Sequence, residues 1–307
     1  MKIVVVIPVM NERPTLEKLV QDIVEHIAPH QYHLFFVDDG STDGSWEELQ
    51  RLSRAYPHVE AIRFARNLGK TAALDAAFCE VDGDLILTMD ADLQDDPKEI
   101  PRLVEKLEEG FDMVCGWKAT RNDPWHKTLP SRLYNCVIAH VFGTPIHDTN
   151  TGYKLMRAPV AKGLTLFADM HRMIAVEAHL QGNRIAEIVV THHPRRFGKS
   201  KYGLERIYRG LRDAYTTWLR YRCPVGPARY FRRWAICLFF VAIALGGGVL
   251  AGRPESSFLL ALATCLVALL VLAGIATTAM GYFGAHLIAR MPEAKLEYPI
   301  VGRAGGA

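Results

Sequence analysis

No glycine-rich phosphate fingerprint occurs in this chain: neither G-x-G-x-x-G nor G-x-x-x-x-G-K-[ST] is present. That absence excludes the usual dinucleotide and P-loop phosphate cradles. The six cysteines, Cys79, Cys115, Cys136, Cys223, Cys237 and Cys265, are scattered and form no C-x-x-C. They read as reduced small hydrophobes of a cytosolic or membrane setting. Internal repeats and low-complexity linkers are lacking. So is a basic n-region followed by a short apolar segment and a cleavage site, and secretion is not expected. Charge of either sign is in small excess, a formal +3 over 307 residues. The excess is unevenly spread. From Leu204 onward 12 Lys and Arg face 5 Asp and Glu, leaving 24 against 28 in residues 1–203. An acidic part followed by a basic, apolar one points to an anionic membrane surface and away from nucleic acid.

The centre of what is present is Thr88-Met89-Asp90-Ala91-Asp92-Leu93-Gln94-Asp95-Asp96-Pro97. It follows the apolar run Leu85-Ile86-Leu87, which reads as a buried parallel strand, and Pro97 suits the first turn of a helix to Glu109. Asp90 and Asp92 then lie at a strand's carboxyl end, where open α/β sheets place ligands. On an extended segment residues i and i+2 point the same way. Two carboxylates aimed at one spot repel unless a cation lies between them, and Mg²⁺ or Mn²⁺ with substrate phosphate oxygens is the natural occupant. The other reading is a solvated acidic turn capping a helix.

Strand, loop and helix alternate four times. Ile3–Ile7, Leu34–Val37, Val59–Phe64 and Leu85–Leu87 are strand-like, and Thr15–Ala28, Ser45–Ala55, the segment opened by Asn67-Leu68-Gly69-Lys70, and Pro97–Glu109 are helical. The alternation predicts an α/β, Rossmann-like, mostly parallel sheet. Asp38-Asp39-Gly40-Ser41 follows the second strand and reads either as a ribose or base acceptor or as a turn and helix cap. Further on, Met113–Gly116 reads as a short strand and Trp117–Lys127 as a mobile loop. Pro130–Phe142 reads as a helix with proline in its first turn, and His171–Gln181 as another. His192 and His193 read as solvated or hydrogen-bonded, not metal-bound. The basic loop Arg195–Tyr202 is either an anion site or a generic surface loop.

From Leu204 to Arg222 apolar residues at helical spacing interleave with Arg206, Arg209, Arg212, Arg220 and Arg222, as in an interfacial helix. Trp234–Gly252 is uncharged and close to the about 20 residues that span a bilayer. Ser256–Ala289 is a second uncharged stretch. Arg229, Arg232 and Arg233 precede the first, Arg290 and Lys295 follow the second, and the link Arg253-Pro254-Glu255 is nearly neutral. The positive-inside rule predicts a transmembrane hairpin with both ends cytosolic. The expected division is 1–203 catalytic, 204–228 interfacial helix and linker, and 229–307 two-span region with a short tail.

Taken in order, Pro8-Val9-Met10-Asn11-Glu12, Val37–Gly44, Asn67–Lys70, Asp90-Ala91-Asp92-Leu93-Gln94, His147-Asp148-Thr149 with Gly152-Tyr153-Lys154, His171-Arg172 and Arg195–Tyr202 resemble glycosyltransferase family 2. Within it the set is similar to the polyprenyl-phosphate glycosyltransferases, such as dolichyl-phosphate mannose synthase and the bacterial undecaprenyl-phosphate sugar transferases. The resemblance covers residues 3 to about 203. It implies a GT-A fold, a nucleotide-sugar donor (UDP favoured), a polyprenyl phosphate acceptor, a divalent metal and the inner membrane, with a homo-oligomer possible. It implies donor contacts at Pro8, Asn11, Glu12, Asp39, Lys70, Asp90, Ala91 and Asp92, with metal at Asp90, Asp92 and Gln94. Lys118 and Arg132 match basic residues near the acceptor phosphate, joined by Arg195, Lys199 and Lys201 of the basic loop. Lys118 stands where the family usually has arginine and lacks its bidentate fork. Asp92, Arg132 and Asp148 are the expected catalytic set, Asp148 as an orienting group. The chemistry implied is a single displacement with inversion. A polysaccharide synthase is the other enzyme class, but Tyr230-Phe231-Arg232-Arg233-Trp234 lacks the glutamine of its Gln-x-x-Arg-Trp. A membrane-tethered nucleotide-sugar-binding subunit is the non-enzymatic alternative.

Overall fold

The structure is a computed structural model of the 307-residue chain. It describes all residues except 28–29, 120–124, 195–204, 224, 253–255, 292–296 and 307, and only the backbone of 125–132 and 205–207. The chain divides into two compact units, residues 1–213 with 292–307, and residues 214–291.

The first unit is built on one eight-stranded sheet in the order β7-β5-β6-β4-β1-β2-β3-β8. Its half nearest the amino terminus follows the expected alternation. β1 (Lys2–Val9), α1 (Arg13–Ile27), β2 (Gln31–Asp38), α2 (Ser45–Ala55), β3 (Val59–Phe64), α3 (Lys70–Glu80) and β4 (Leu85–Thr88) succeed one another. β1 pairs in parallel with β2 and β4, and β2 with β3. Ile3 to Ile7 and Leu85 to Leu87 are essentially unexposed, because helices cover both faces of a parallel sheet. α1 buries Leu16, Leu19, Val20, Ile23 and Ile27, one stripe at helical spacing. The loops after β1, β2 and β4 therefore emerge on one edge, at the strands' carboxyl ends.

The second half departs from a uniformly parallel sheet. β5 (Met113–Trp117) pairs in parallel with β7 (Ile185–Val189), but β6 (Lys154–Arg157) runs antiparallel between β4 and β5. Pro97–Glu99 is a 3-10 turn that leads into α4 (Ile100–Glu108), with the Asp96 side chain capping Lys98 N–H. α5 runs over Trp125–Phe142, so the expected loop to Lys127 is shorter and Pro130 lies inside the helix, not in its first turn. The expected helix His171–Gln181 is split into a 3-10 turn, Met170–Arg172, and α7 (Ile174–Leu180), after α6 (Ala158–Gly163). Residues after Ala289 were expected to form only a tail. Instead β8 (Ile300–Ala304) lies antiparallel on β3.

α8 (Glu205–Arg222) runs through the point where the units divide. In the second unit α9 (Pro227–Gly252) and α10 (Ser257–Ala289) are both long and apolar enough to cross a membrane and form a transmembrane hairpin. Between them small residues are buried: a Cβ on Gly274 would lie 2.8 Å from the Phe239 ring, and one on Gly281 2.9 Å from Phe231 Cβ. Leu219, Cys223 and Phe231 form a small apolar cluster flanked by Tyr215, Trp218, Tyr230 and Ile288. The link Arg253-Pro254-Glu255 lies outside the described residues. All six cysteines are free.

Candidate active site

Two adjacent aspartates at the end of β2 divide two tasks. Asp38 is fully buried; its Oδ1 accepts Ser41 N–H at 2.9 Å and its Oδ2 lies 3.2 Å from Arg63 Nε. It shapes the turn. Asp39 faces the other way and accepts Leu68 N–H at 2.6 Å and Gly69 N–H at 2.9 Å. Burial raises its pKa above the ordinary carboxylate value, and the two amides offset part of that rise. The turn part of the Asp38-Asp39 reading is thus carried by Asp38, while the Asp39 carboxylate is held by two backbone amides.

Asp39 lines a cleft of about 220 Å³ with Pro8, Val9, Met10, Glu12, Lys70, Asp90, Ala91 and Asp92. Seven of the eight residues expected at the donor come together here. Asn11 is not among them. Its backbone is left-handed (φ 59°), its N–H donates to Ser41 Oγ at 2.9 Å, and its Oδ1 accepts Thr42 N–H at 2.8 Å. It ties the loop after β1 to the loop after β2, holding Glu12 beside Asp39.

Asp90 is paired with the Lys70 ammonium at the first residue of α3. Burial opposes its ionisation, but Lys70, then Lys118, outweigh it and hold the carboxyl well below the usual range. Its charge therefore persists through neutral pH and is lost only as pH falls through that depressed value. Beneath it Gly152 is required to be small, since a Cβ there would lie 2.7 Å from Asp90 Oδ2. Thr88 Oγ1 donates to Gly152 C=O at 2.6 Å and Lys154 Nζ donates to Thr151 C=O, which seats this loop. Lys154 is 1% exposed, and burial pulls its pKa down.

Two carboxylates, Asp90 and Asp92, lining one cleft fit a divalent cation that keeps water and phosphate oxygens as its other ligands. The Lys70 ammonium lies against Asp90 on the same cleft. Gln94 is turned elsewhere: its Nε2 lies 3.3 Å from His193 C=O, while its N–H donates to Asp92 Oδ1 at 3.2 Å. His193 Nε2 bonds Asp96 Oδ2 at 3.0 Å, as expected for a hydrogen-bonded histidine. Lys118 Nζ lies 2.7 Å from Asp95 Oδ1. Burial works against its charge, but Asp95, Asp90 and Asp92 raise its pKa above the ordinary value. Lys118 thus belongs electrostatically to the Asp90–Asp95 loop. Asp148 is 3% exposed; its Oδ1 accepts Asn135 Nδ2 at 3.3 Å and Asn150 N–H at 3.1 Å. It lies in a buried amide network and not on the cleft. The side chain of Arg132, and Arg195, Lys199 and Lys201 entirely, lie outside the described residues.

Three contributors had weaker sequence signals. His171 Nδ1 is 2.9 Å from Thr71 Oγ1 at the start of α3, and burial, then Lys70, depress its pKa far enough to leave it neutral. Lys154 was visible only as a lysine in an apolar strand, and Gly152 only as a glycine before it.

Residues 4–168 match the family model described as glycosyl transferase family 2. The chain is 35% identical over 253 residues to a dodecaprenyl-phosphate galacturonate synthase of Rhizobium johnstonii, covering 80% of this chain and 72% of that protein. It is 35% identical over 262 residues to an undecaprenyl-phosphate 4-deoxy-4-formamido-L-arabinose transferase of Yersinia pestis, covering 81% and 80%. Among solved structures it is similar to glucosyl-3-phosphoglycerate synthase from Mycobacterium tuberculosis in complex with Mn²⁺ and UDP-glucose. The TM-score is 0.53 at 20% identity, covering 71% of this chain and 78% of that one, a likeness of fold.

Proposed function

Because the chain belongs to glycosyltransferase family 2, we propose that it moves a single sugar from a UDP-sugar to a polyprenyl phosphate at a membrane surface, with inversion. One observation carries this reading: Asp39, Lys70, Asp90 and Asp92 line one cleft in a chain that also carries a transmembrane hairpin. The relatives named for dodecaprenyl and undecaprenyl phosphate support the acceptor class.

In this reading Asp39 and Glu12 hold the nucleoside, and the cleft between Lys70 and Asp92 takes the diphosphate. Asp90 and Asp92 would hold Mg²⁺ or Mn²⁺, which supplies charge neutralisation on the departing nucleoside diphosphate. Lys70 adds a fixed positive charge on the same side, and Asp90 orients it. The acceptor phosphate is already anionic near neutral pH, so no strong general base is needed. The enzyme's task is to align two anions without letting them repel. Arg132, Arg195, Lys199 and Lys201 are assigned to the acceptor phosphate. Lys118, held by Asp95, steadies the Asp90–Asp95 loop, and Asp148 orients the loop that carries Gly152. The catalytic part ends near residue 203, α8 lies in the interface, and both termini are cytosolic, following the flanking arginines.

The test is a donor panel with purified full-length protein, undecaprenyl phosphate and Mn²⁺ or Mg²⁺, read by mass spectrometry. One sugar added per lipid from a UDP-sugar is expected, with activity lost in excess chelator. A polymer product, or no transfer from any UDP-sugar, overturns the reading. Full activity in chelator overturns the metal alone.

A further inference from the structure

The segment that follows the hairpin returns to the sheet beside the nucleoside end of the cleft. β8 pairs with β3, with Ile62 opposite Arg303 and Phe64 opposite Ile300. Just before β8, Pro299 C=O accepts Ala65 N–H at 3.1 Å. The Tyr298 ring stacks on Phe64, centroids 5.5 Å apart and 21° between planes. Its hydroxyl donates to Asp75 Oδ2 at 2.8 Å. Burial, then the Asp75 carboxylate, raises the Tyr298 pKa, so the phenol stays protonated and donates. Asp75 is 2% exposed, in the middle of α3. Arg303 forks onto Glu80 at the last residue of α3, both oxygens 3.1 Å from Nη2.

These contacts bracket the connection between β3 and α3, residues 65–69, which binds the cleft residue Asp39 through the Leu68 and Gly69 amides and leads into the cleft residue Lys70. The backbone at Arg66 and Asn67 packs so closely on Gly40 that a Cβ there would lie 2.7 Å from Arg66 C and 2.8 Å from Asn67 N. Gly40 is left-handed (φ 73°), which glycine alone adopts freely. Leu68 and Gly69 hold the Asp39 carboxylate, and Lys70 meets Asp90. A displacement of this connection moves both Asp39 donors together.

We propose that the tail Tyr298–Ala304 is a positioning element for the nucleoside: Tyr298, acting through Asp75 and the Pro299 carbonyl, sets the 65–70 connection that aims Asp39. Tyr298 is a positioning residue, since it touches no substrate. The inference rests on the reading of the cleft as a nucleoside diphosphate site. The alternative is a purely structural role, β8 covering an otherwise open sheet edge. That role predicts a loss of stability in which donor and acceptor parameters fall together.

The experiment compares the full-length chain, Y298F and a deletion of residues 298–307. It measures UDP affinity by titration in Mn²⁺, separate KM values for UDP-sugar and undecaprenyl phosphate, kcat, and Tm. Y298F keeps the stacked ring and loses only the hydroxyl. It is expected to weaken UDP binding about fivefold, the lower range of a typical coupling between sites. Donor KM rises in step, while acceptor KM and kcat stay within about twofold. The deletion is expected to weaken UDP binding further, and if it fails to fold, Y298F decides. Unchanged UDP affinity in Y298F, or donor and acceptor KM changing together with Tm, overturns the inference while the function stands. A wild-type chain that transfers sugar from no UDP-sugar and binds no UDP overturns the cleft's reading, and this inference with it.

Discussion

The sheet unit and the hairpin use apolar side chains in opposite ways. In the sheet Val5, Leu85 and Leu87 are at most 1% exposed and polar groups face the cleft. In the hairpin Phe240 is 69% exposed, Ile243 70% and Leu269 63%, whereas Gly274, Gly281 and Gly284 are the buried positions of α10. Water drives apolar groups inward in the first case. A bilayer provides no such drive between helices, so association depends on close backbone approach at small residues. The same amino acids therefore carry opposite meaning in the two units, and the way to read each is to ask what fills its interior.

Substitutions can break this contrast, and the largest effect is expected where the interior gives way to chemistry. Asp92→Asn keeps shape and removes one of the two carboxylates, Asp90 and Asp92, proposed to hold the metal. Turnover is expected to fall on the order of a thousandfold, the scale of a lost transition-state charge contact. Tm and hairpin insertion should hold. Steady-state kinetics beside thermal unfolding check it, and near-normal turnover would remove Asp92 from the reaction.

The next effect belongs to the hairpin. Gly281→Leu puts bulk where a Cβ alone lies 2.9 Å from Phe231 and 3.3 Å from Ala228. Overpacking of this kind costs about 1–3 kcal/mol. The full chain in detergent should lose thermal stability, while UDP affinity stays within about twofold of the parent. A drop in UDP affinity as large as the loss of stability would show the two units to be energetically one.

Legibility in the sequence follows the range of the interactions involved. The first four strands were visible because a doubly covered parallel strand is a continuous apolar run, as in Ile3–Ile7. Asp90 and Asp92 were visible because strand and helix signals bracket them within ten residues. The hairpin was visible from missing charge. Nothing local marks Gly152 as the floor under Asp90, because its partner Thr88 is 64 residues away. The strand in the tail was equally hidden, since Tyr298 and Asp75 are 223 residues apart. The place of Lys154 inside an antiparallel β6 depends on a crossover that no spacing encodes. Asp148 stood out as part of a polar cluster, but local sequence does not show that it is buried, hydrogen-bonded to Asn135 and Asn150, away from the cleft.

The smallest effect, at Leu269, is the sharpest test of the contrast when the same substitution is made in both units. Leu87→Ala in β4 opens a cavity at a fully buried site and is expected to cost about 2–5 kcal/mol. Leu269→Ala in α10 removes the same atoms from a side chain whose exposed surface meets lipid. Lipid tails are as apolar as leucine and refill the space, and alanine is at least as good a helix former. Its cost should stay within about 0.5 kcal/mol. Thermal unfolding of both variants in the same bilayer discs measures the difference. A Leu269→Ala loss as large as that of Leu87→Ala would mean that protein covers this face of α10, and the hairpin would then have to be read as packed against a partner helix there.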